Sequence, residues 1–363
     1  MNVDPSVVFG ERCLAVRKRL ADIRLDALIV SALPNVRYLT GFTGSNGLLV
    51  VSVDHATLIT DPRYDLQAHQ QAPNCRIRVV RGSPWKPVPA ILRRQKARRT
   101  GFEAHNLAHA RWDELRGKAG KQVRLKPAGT IVEELRMVKS PPEIDAIRQA
   151  VEVNSKAFRA AMGRFRASMT ERDLAAEIDY QMKRLGAENP SFETIVASGP
   201  RSALPHARPE KSPILVNELL LIDMGAHCGG YASDMTRMAV PGRPSQKMKQ
   251  RYKAVLEAQL AAIDVVRAGV KVTDVDRQVR DVLGKELEPL FVHSTGHGLG
   301  LEIHEPPRLA KKEKARLQPG MVITIEPGIY DANWGGIRIE DTVLVTPSGC
   351  EILTPTSKDL LTL

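Results

Sequence analysis

The chain has 363 residues, a length typical of two domains, and its 43% apolar and 26% charged residues indicate a globular protein with a sizeable core. No apolar run reaches the ~18 residues that a membrane span needs, and the first residues lack the apolar stretch of a secretory signal. We therefore expect a cytoplasmic protein with no membrane partner. The four cysteines stand far apart without a CxxC pair, which argues against a zinc ribbon or a disulfide framework.

The net charge of +12 lies in the first part of the chain. Residues 1–130 contain 22 Lys and Arg against 10 Asp and Glu, whereas residues 131–363 contain 31 of each. The densest basic run, Arg93 to Arg99, includes no aromatic residue of the kind that stacks on nucleic-acid bases, so we expect no nucleic-acid partner. We interpret the run as a solvated face, with steering of anionic substrates as the alternative.

The first part of the chain alternates helix-like and strand-like patterns. The predicted elements are a helix over 11–23, strands over 26–30, 47–53 and 56–60, and a helix from about Tyr64. Strands that alternate with helices indicate an α/β domain, which we expect to span residues 1–130.

The second predicted domain, residues 131–363, opens with two capped helices. Ser140 with Glu143 and Thr170 with Asp173 both have the capping-box pattern, and Gly186 is a plausible end for the second helix. The further predicted elements are strands over 214–224 and 231–240, a helical stretch over about 246–288, and strands over 321–325, 336–339 and 342–345.

Carboxylates on otherwise apolar strands are the unusual feature of this second domain. They are Asp223, Asp234, Glu326 and Glu340. Each alone is explained by a strand end or an ion pair, but together they would repel one another unless a multivalent cation neutralised them.

An imidazole completes this set of candidate ligands. His297 lies between Gly296 and Gly298, which let the backbone approach a site closely, and His304 follows seven residues later. Four carboxylates and a histidine suit two divalent ions, with Mn²⁺ preferred and Co²⁺, Fe²⁺ or Zn²⁺ as alternatives. Two adjacent metal ions point to hydrolysis.

The sequence resembles the pita-bread metallopeptidases, and within them the aminopeptidase P and prolidase family. The matching segments are DMGAHCGGYASDMTR, STGHGLGLEIHEPP, TIEPG and IRIED, in the family's order. The resemblance implies an α/β (α+β) protein, in which a creatinase-like amino-terminal domain precedes a pita-bread catalytic domain with a curved antiparallel sheet flanked by helices.

The same resemblance implies a role for each matching site residue. The five metal-ligand positions are filled by Asp223, Asp234, His297, Glu326 and Glu340. His206 and His304 would hydrogen-bond the scissile carbonyl or its oxyanion, and Glu326 would also move a proton. Arg338 would orient the two carboxylates that bridge the metals, Asp234 and Glu340. His293 is interpreted either as a lining residue of the proline pocket or as a satisfied core histidine.

The activity implied by the resemblance is that of a metal-dependent Xaa-Pro aminopeptidase, which acts on the amino terminus of proline-containing peptides. The alternative is an Xaa-Pro dipeptidase, which must bind a free carboxylate beside the site, and Arg308 is a candidate for that role. A more remote alternative is a non-catalytic basic binding module on the same fold. The family also implies a homodimer, in which the amino-terminal domain of one subunit closes the cleft of the other.

Overall fold

The computed structural model describes residues 5–363, and the chain divides into two compact units. The first unit ends at Arg136 and the second spans Met137–Leu363, so the division lies slightly beyond the predicted boundary at residue 130. The reason is a short helix directly after residue 130 that packs against the first two helices of the first unit.

The first unit is built on one mixed sheet. Its helices are α1 (Pro5–Asp22), α2 (Leu33–Thr40), α3 (Asp65–Gln71), α4 (Val88–Arg94), α5 (His109–Ala119) and α6 (Ile131–Arg136). Its strands are β1 (Ala27–Val30), β2 (Gly47–Ser52), β3 (Ala56–Thr60), β4 (Arg76–Val79), β5 (Arg99–Phe102) and β6 (Arg124–Pro127). The strand order is β4-β3-β2-β1-β5-β6, and only the pairs β1–β2 and β2–β3 are antiparallel. The predicted α/β class is confirmed.

The strands that the sequence revealed are the central ones. β1 and β3 are buried at every residue, and such strands read as continuous apolar runs. The edge strands β4 and β6 have the sequences RIRV and RLKP, in which exposed cations alternate with apolar residues. Cations on edge strands discourage pairing with other chains, but they also hide these strands from a search for apolar runs.

The second unit combines four helices with largely antiparallel sheets. Its helices are α7 (Pro141–Met162), α8 (Glu171–Arg184), α9 (Gln246–Val265) and α10 (Val272–Leu287). Its strands are β7 (Asn189–Pro190), β8 (Ile195–Ser198), β9 (Leu220–Met224), β10 (Ala226–Cys228), β11 (Tyr231–Ala232), β12 (Met235–Val240), β13 (Gly296–Gly298), β14 (Glu305–Leu309), β15 (Val322–Ile325), β16 (Gly328–Asp331), β17 (Gly335–Arg338), β18 (Asp341–Val345), β19 (Cys350–Ile352) and β20 (Leu361–Thr362). Short 3-10 helices in the chain occupy Pro62–Tyr64, Gly199–Ala203 and Glu288–Leu290.

Two sheets of this unit hold the candidate ligands. One has the order β20-β12-β9-β8 and the other has the order β14-β13-β15-β18-β19. Along β9, Leu220 and Ile222 pack with residues of α7 and α8, whereas Leu221 packs with residues of α9 and α10. Because side chains alternate along a strand, Asp223 points to the same side as Leu221. The antiparallel sheets and flanking helices match the expected pita-bread architecture.

Several predicted elements of the second unit are confirmed and others need correction. Both capping boxes are present, at Ser140 before α7 and at Thr170 before α8. The single helical stretch predicted over 246–288 is wrong, because α9 and α10 are separated by a turn in which Gly269 has φ +85°. The strand predicted over 214–224 begins only at Leu220, after Asn217 adopts a left-handed φ of +60°. Across the described part of the chain, no helix combines the length and apolar character needed to cross a membrane.

Candidate active site

One cavity of about 990 Å³ in the second unit is lined by every candidate site residue predicted from the sequence. These residues are His206, Asp223, Asp234, His293, His297, His304, Arg308, Glu326, Arg338 and Glu340. They come from segments up to 134 positions apart, from 206 to 340, so the fold rather than sequence proximity brings them together. The roles of these residues as metal ligands and as catalytic or substrate-binding groups stay predictions.

The candidate ligand atoms converge within the cavity. One donor atom each from Asp234, His297 and Glu340 lies within 4.8 Å of the others. His297 Nε2 lies 3.5 Å from Asp234 Oδ2 and 3.3 Å from Glu326 Oε1. Ligand atoms at these separations can bind the same ion, because carboxylate oxygens and imidazole nitrogens each lie about 2.0–2.2 Å from a bound divalent metal.

The tautomer of His297 leaves its Nε2 lone pair available. Its Nδ1 lies 2.9 Å from the carbonyl oxygen of Gly298, so Nδ1 carries the proton and donates it. Burial lowers the pKa of His297, so the ring is neutral. An Nε2 lone pair that faces two carboxylate oxygens is repulsive unless a cation lies between them. A backbone partner that fixes the far nitrogen is typical of metal-ligating histidine.

Two buried carboxylate oxygens of the cavity lack any hydrogen-bond donor among the described residues. They are Asp223 Oδ1 and Glu340 Oε1. Their companion oxygens are satisfied: Arg338 Nη2 donates to Asp223 Oδ2 at 2.5 Å, and Thr236 Oγ1 donates to Glu340 Oε2 at 2.7 Å. An unpaired oxygen of a buried carboxylate is costly in a folded protein. A bound cation would satisfy both oxygens, so the residues present fit a divalent metal site.

The acidic residues perturb one another strongly. Burial, together with the negative charge of Glu340 and Asp223, raises the pKa of Asp234 well above its usual range. Burial and the charges of Glu326 and Asp223 do the same to the pKa of Glu340, and burial raises the pKa of Glu326. Like charges this close destabilise the ionised cluster when no cation is bound. The carboxylates on apolar strands that are conspicuous in the sequence thus lie close enough to repel one another.

Arg338 contacts the cluster most directly at Asp223. It pairs directly with Asp223, not with the carboxylates expected to bridge the metals, and it reaches Glu340 only through Thr236, to whose hydroxyl its Nε donates at 3.0 Å. Burial alone would lower the pKa of Arg338, but Tyr330 and Asp223 raise it well above its usual value, so the guanidinium stays charged. Arg338 therefore fixes Asp223 and balances part of the negative charge.

Both interpretations of His293, a lining residue of the proline pocket and a satisfied core histidine, stay predictions. His293 lines the cavity, yet both ring nitrogens have protein partners, since Nδ1 lies 2.8 Å from Ser294 O and Nε2 lies 2.9 Å from Tyr330 Oη. Arg338 Nη1 donates to the same Tyr330 oxygen at 2.6 Å, so the tyrosine proton goes to His293. Burial lowers the pKa of His293, consistent with a neutral ring that accepts this hydrogen bond.

The remaining cavity residues lie close to His297. The His304 ring packs edge-on against the His297 ring, with centroids 4.5 Å apart, and His304 itself is exposed, as is His206. Arg308 on β14 is directly opposite His297 on β13, so the two side chains share one face of the sheet. Within residues 5–363, Arg308 has no carboxylate partner.

Three residues that support the site were missed by the sequence analysis. Thr236 links Arg338 to Glu340, Tyr330 links Arg338 to His293, and Thr324 donates to Glu326 Oε1 at 3.1 Å while accepting from His297 N at 3.1 Å. Thr236 and Thr324 each lie two residues from a predicted ligand, Asp234 and Glu326. Strand alternation places residues two apart on the same face, which was a usable signal. Nothing local in the sequence marks Tyr330.

The glycines around His297 are needed for close packing. A Cβ at Gly296 would lie 1.9 Å from Thr324 O, and a Cβ at Gly298 would lie 2.3 Å from Pro306 O. The short strand β13 is therefore held tightly between β14 and β15. This packing carries the imidazole of His297 to the carboxylates of the neighbouring strands.

Comparison with known proteins agrees with this geometry. Residues 145–347 match the model of metallopeptidase family M24, and residues 12–138 match the creatinase/prolidase N-terminal domain. The chain belongs to metallopeptidase family M24. The resemblance to the pita-bread peptidases is confirmed, and this M24 member is a metallopeptidase rather than a basic binding module. Membership of the family also implies divalent metal ions.

Relatives of this M24 chain align along almost its whole length. An Xaa-Pro dipeptidase of Pyrococcus furiosus is 36% identical over 97% of the chain and 99% of its own length. A solved Xaa-Pro dipeptidase from Bacillus anthracis is 35% identical with a TM-score of 0.94, covering 98% of this chain and 100% of that one. A solved X-Pro aminopeptidase from Thermotoga maritima is 34% identical with a TM-score of 0.88, covering 95% and 100%. This M24 chain is thus similar along nearly its whole length to peptidases named for Xaa-Pro substrates.

Proposed function

We propose that this chain is a two-metal Xaa-Pro dipeptidase. The observation that carries the proposal is the position of Arg308, a cavity arginine with no carboxylate partner in the described part of the chain, directly across the β13–β14 pair from His297. A dipeptide ends in a carboxylate close to its single peptide bond, and a guanidinium binds carboxylates bidentately. The resemblance seen in the sequence favours an aminopeptidase, whereas the dipeptidase names of the relatives favour this alternative.

The metal centre of the proposal uses the five predicted ligands, Asp223, Asp234, His297, Glu326 and Glu340. This oxygen-rich set suits Mn²⁺, with Co²⁺, Fe²⁺ and Zn²⁺ as alternatives. When bound, the ions supply Lewis acidity and lower the pKa of a water molecule towards neutrality.

The chain's own residues would then move the proton and hold the oxyanion. The Glu326 carboxylate takes a proton from the attacking water and gives it to the proline nitrogen as the C–N bond breaks. His304 and His206, exposed in the cavity, donate hydrogen bonds to the developing oxyanion. Tyr330 and Arg338 keep His293 and Asp223 in place.

An Xaa-Pro aminopeptidase is the second candidate. The cavity of about 990 Å³ exceeds the space that a dipeptide fills, and the similarity to the Thermotoga maritima X-Pro aminopeptidase covers 95% of the chain. The two candidates differ in whether the carboxylate of the substrate must lie directly after proline.

The deciding experiment compares Xaa-Pro with Xaa-Pro-Xaa-Xaa in the parent and in Arg308→Met. We expect the parent to prefer the dipeptide, and Arg308→Met to raise KM for the dipeptide about 10–100-fold, since a charge-assisted hydrogen bond contributes about 1.5–3 kcal/mol. KM for the tetrapeptide should hardly change.

Arg208→Met is the matched control for this experiment. Arg208 also lines the cavity, but it is mostly exposed and already pairs with Glu193 at 3.3 Å. We expect KM of this variant to remain close to that of the parent. Faster cleavage of the tetrapeptide by the parent, with no effect of Arg308→Met on either substrate, would contradict the dipeptidase and favour the aminopeptidase.

Two further properties stay proposals. We propose a cytoplasmic homodimer, in which the amino-terminal domain of one subunit closes the cleft of the other, as the family resemblance implies. Light scattering tests this directly, because a fully active species of 40.0 kDa would contradict the dimer.

A further inference from the structure

An ion pair on α10, between a buried aspartate and a partly buried arginine, lies against the segment that carries His293 and His297. Asp276 is fully buried and pairs with Arg280 one helical turn later, with Arg280 Nε donating to Asp276 Oδ2 at 2.8 Å. The other Asp276 oxygen accepts a hydrogen bond from Thr295 Oγ1 at 2.9 Å. Neither residue lines the active-site cavity.

Arg280 binds the same segment at a second point. Its Nη2 donates to the carbonyl oxygen of His293 at 3.0 Å, its Nη1 donates to that of Phe291 at 3.3 Å, and it lies 4.6 Å from the centroid of the Phe291 ring. Glu288 binds the outer side of the guanidinium at 3.0 Å. The segment 291–295 is therefore attached to α10 through the side chains of Asp276 and Arg280.

Thr295 connects this attachment to two candidate ligands. Its carbonyl oxygen accepts a hydrogen bond from the backbone N–H of Glu326 at 2.8 Å, and it lies two residues before His297. The next residue, Gly296, has no space towards β15, since a Cβ there would lie 1.9 Å from Thr324 O. A shift of Thr295 would consequently displace both His297 and the backbone of Glu326.

Stability alone does not account for this pair. A buried ion pair costs so much desolvation that well-packed apolar residues of similar volume often stabilise a protein equally well or better. What a fully hydrogen-bonded buried network does supply is one defined position for the groups attached to it. Here those groups are the backbone segments that carry an imidazole and a carboxylate of the metal site.

We propose that Asp276 and Arg280 are positioning residues, which hold Thr295 so that His297 and Glu326 stay at metal-binding separation. The inference rests on the proposed metal site, but not on its specificity for Xaa-Pro substrates. Removal of a residue that does not bind the metal but holds its ligands in position typically lowers metal affinity or activity about 10–100-fold.

The test uses Thr295→Val, Asp276→Asn, the double variant and a control in the full chain. Thr295→Val removes one hydroxyl and leaves the Asp276–Arg280 pair intact. Asp281→Asn is the matched control, because it makes the same chemical change at an exposed position of the same helix. Metal-free proteins are titrated with Mn²⁺ alone, and free Mn²⁺ is measured by electron paramagnetic resonance below the Tm of every variant.

We expect Thr295→Val and Asp276→Asn each to weaken Mn²⁺ binding by about 10–100-fold. The double variant should bind Mn²⁺ no more weakly than the single variant with the lower affinity, because both changes loosen the same attachment of Thr295 to α10. Asp281→Asn should bind Mn²⁺ as the parent does. Should Asp276→Asn fail to fold, Thr295→Val decides the question alone.

Parent-like Mn²⁺ affinity in folded Thr295→Val and Asp276→Asn, whatever the change in Tm, would overturn the positioning role and leave the proposed function standing. A parent chain that binds no Mn²⁺ would overturn both the positioning role and the proposed function. Since the titration contains no peptide, a failure of the Xaa-Pro specificity alone would leave the Mn²⁺ affinities, and with them the inference, unchanged.

Discussion

Glu340 and Asp341 are neighbours in the chain, yet their carboxylates lie in opposite electrostatic environments. Asp341 is fully buried, and both of its oxygens are satisfied. Arg237 Nη2 donates to Oδ1 at 2.7 Å, and Gln259 Nε2 and Lys358 Nζ donate to Oδ2 at 3.0 Å and 2.7 Å. We call Arg237, Gln259, Asp341 and Lys358 the paired cluster.

Glu340 belongs to the acidic cluster of the cavity, formed with Asp223, Asp234 and Glu326. One of its oxygens has no donor among the described residues, and burial with the charges of Glu326 and Asp223 raises its pKa well above the usual range. Arg237 connects the two clusters, since it also donates to the backbone carbonyl oxygen of Glu340. The paired cluster thus holds the backbone from which the acidic cluster projects.

Alternation along the extended chain explains the contrast. Arg338 and Glu340 project into the cavity, whereas Ile339 packs in the core and Asp341 pairs with Arg237. A carboxylate with enough hydrogen-bond donors holds its neighbours in fixed positions. A carboxylate without them is free to bind a cation. Two acids of similar chemistry therefore have different tasks because one position separates them. The predictions below test whether stability and activity divide between the clusters in this way.

Removal of metal should have the largest effect on activity. Together with His297, the acidic cluster supplies the only set of carboxylate and imidazole donors found to converge among the described residues. Exhaustive chelation should therefore abolish Xaa-Pro cleavage, and added Mn²⁺ should restore it. Circular dichroism should show that the metal-free protein stays folded, because the paired cluster needs no ion. Full-rate cleavage by protein that elemental analysis shows to be metal-free would refute a metal-dependent mechanism.

Glu340→Gln should separate activity from stability. Loss of the charge of a metal ligand should lower kcat/KM by about 100-fold or more. This exceeds the effect of about 10–100-fold that is typical of residues that only hold the ligands in position. In the metal-free protein, the same change removes like-charge repulsion, so the free energy of unfolding should not fall. Denaturant unfolding of the metal-free parent and variant measures this. A loss of stability in metal-free Glu340→Gln would mean that Glu340 is structural.

The pH dependence sharpens the same prediction. The pKa of Glu340 is raised by folding, so its contribution to stability is fully present below its unfolded pKa of about 4.3 and is lost as pH rises through the folded pKa. Stability of the metal-free parent should therefore decrease from acidic towards neutral pH, and Glu340→Gln should show a smaller decrease. Equal slopes for the two proteins would contradict the raised pKa.

The sequence predicted the acidic cluster better than the paired one. Unpaired acids on apolar strands are conspicuous because no neighbouring residue in the sequence offsets the free-energy cost of burying their charge. The family resemblance then groups them with His297 as one set of metal ligands. Asp341 follows Glu340 directly and looks like another acid of the same kind. Its partners Gln259 and Lys358 come from distant parts of the chain, so no local pattern reveals that it is satisfied.

The fold likewise contains elements that a local sequence pattern reveals and elements that it does not. Central strands such as β1 and β9 are visible as apolar runs, and the helices α7 and α8 are visible from their capping boxes. The break between α9 and α10 depends on the conformation of Gly269, and the role of Asp276 depends on a hydroxyl 19 positions later. Long-range contacts decide such features, and a single sequence does not encode them as a local pattern.

Asp341→Asn should have the smallest effect on activity and a large effect on stability. The change leaves Arg237 and Lys358 with less compensating charge, and breaking a buried pair typically costs about 3–5 kcal/mol. Below the Tm of the variant, kcat should remain near the parent value, because no cavity residue has changed. The matched control is Glu351→Gln on β19, a half-exposed carboxylate paired with Arg148, whose loss should cost about 0–1 kcal/mol. Unfolding by denaturant gives the stabilities, and Xaa-Pro turnover at a temperature where every variant is folded gives kcat. Should Asp341→Asn instead lose as much kcat as Glu340→Gln while unfolding like the parent, the two clusters would not divide their tasks, and the boundary drawn between Glu340 and Asp341 would be wrong.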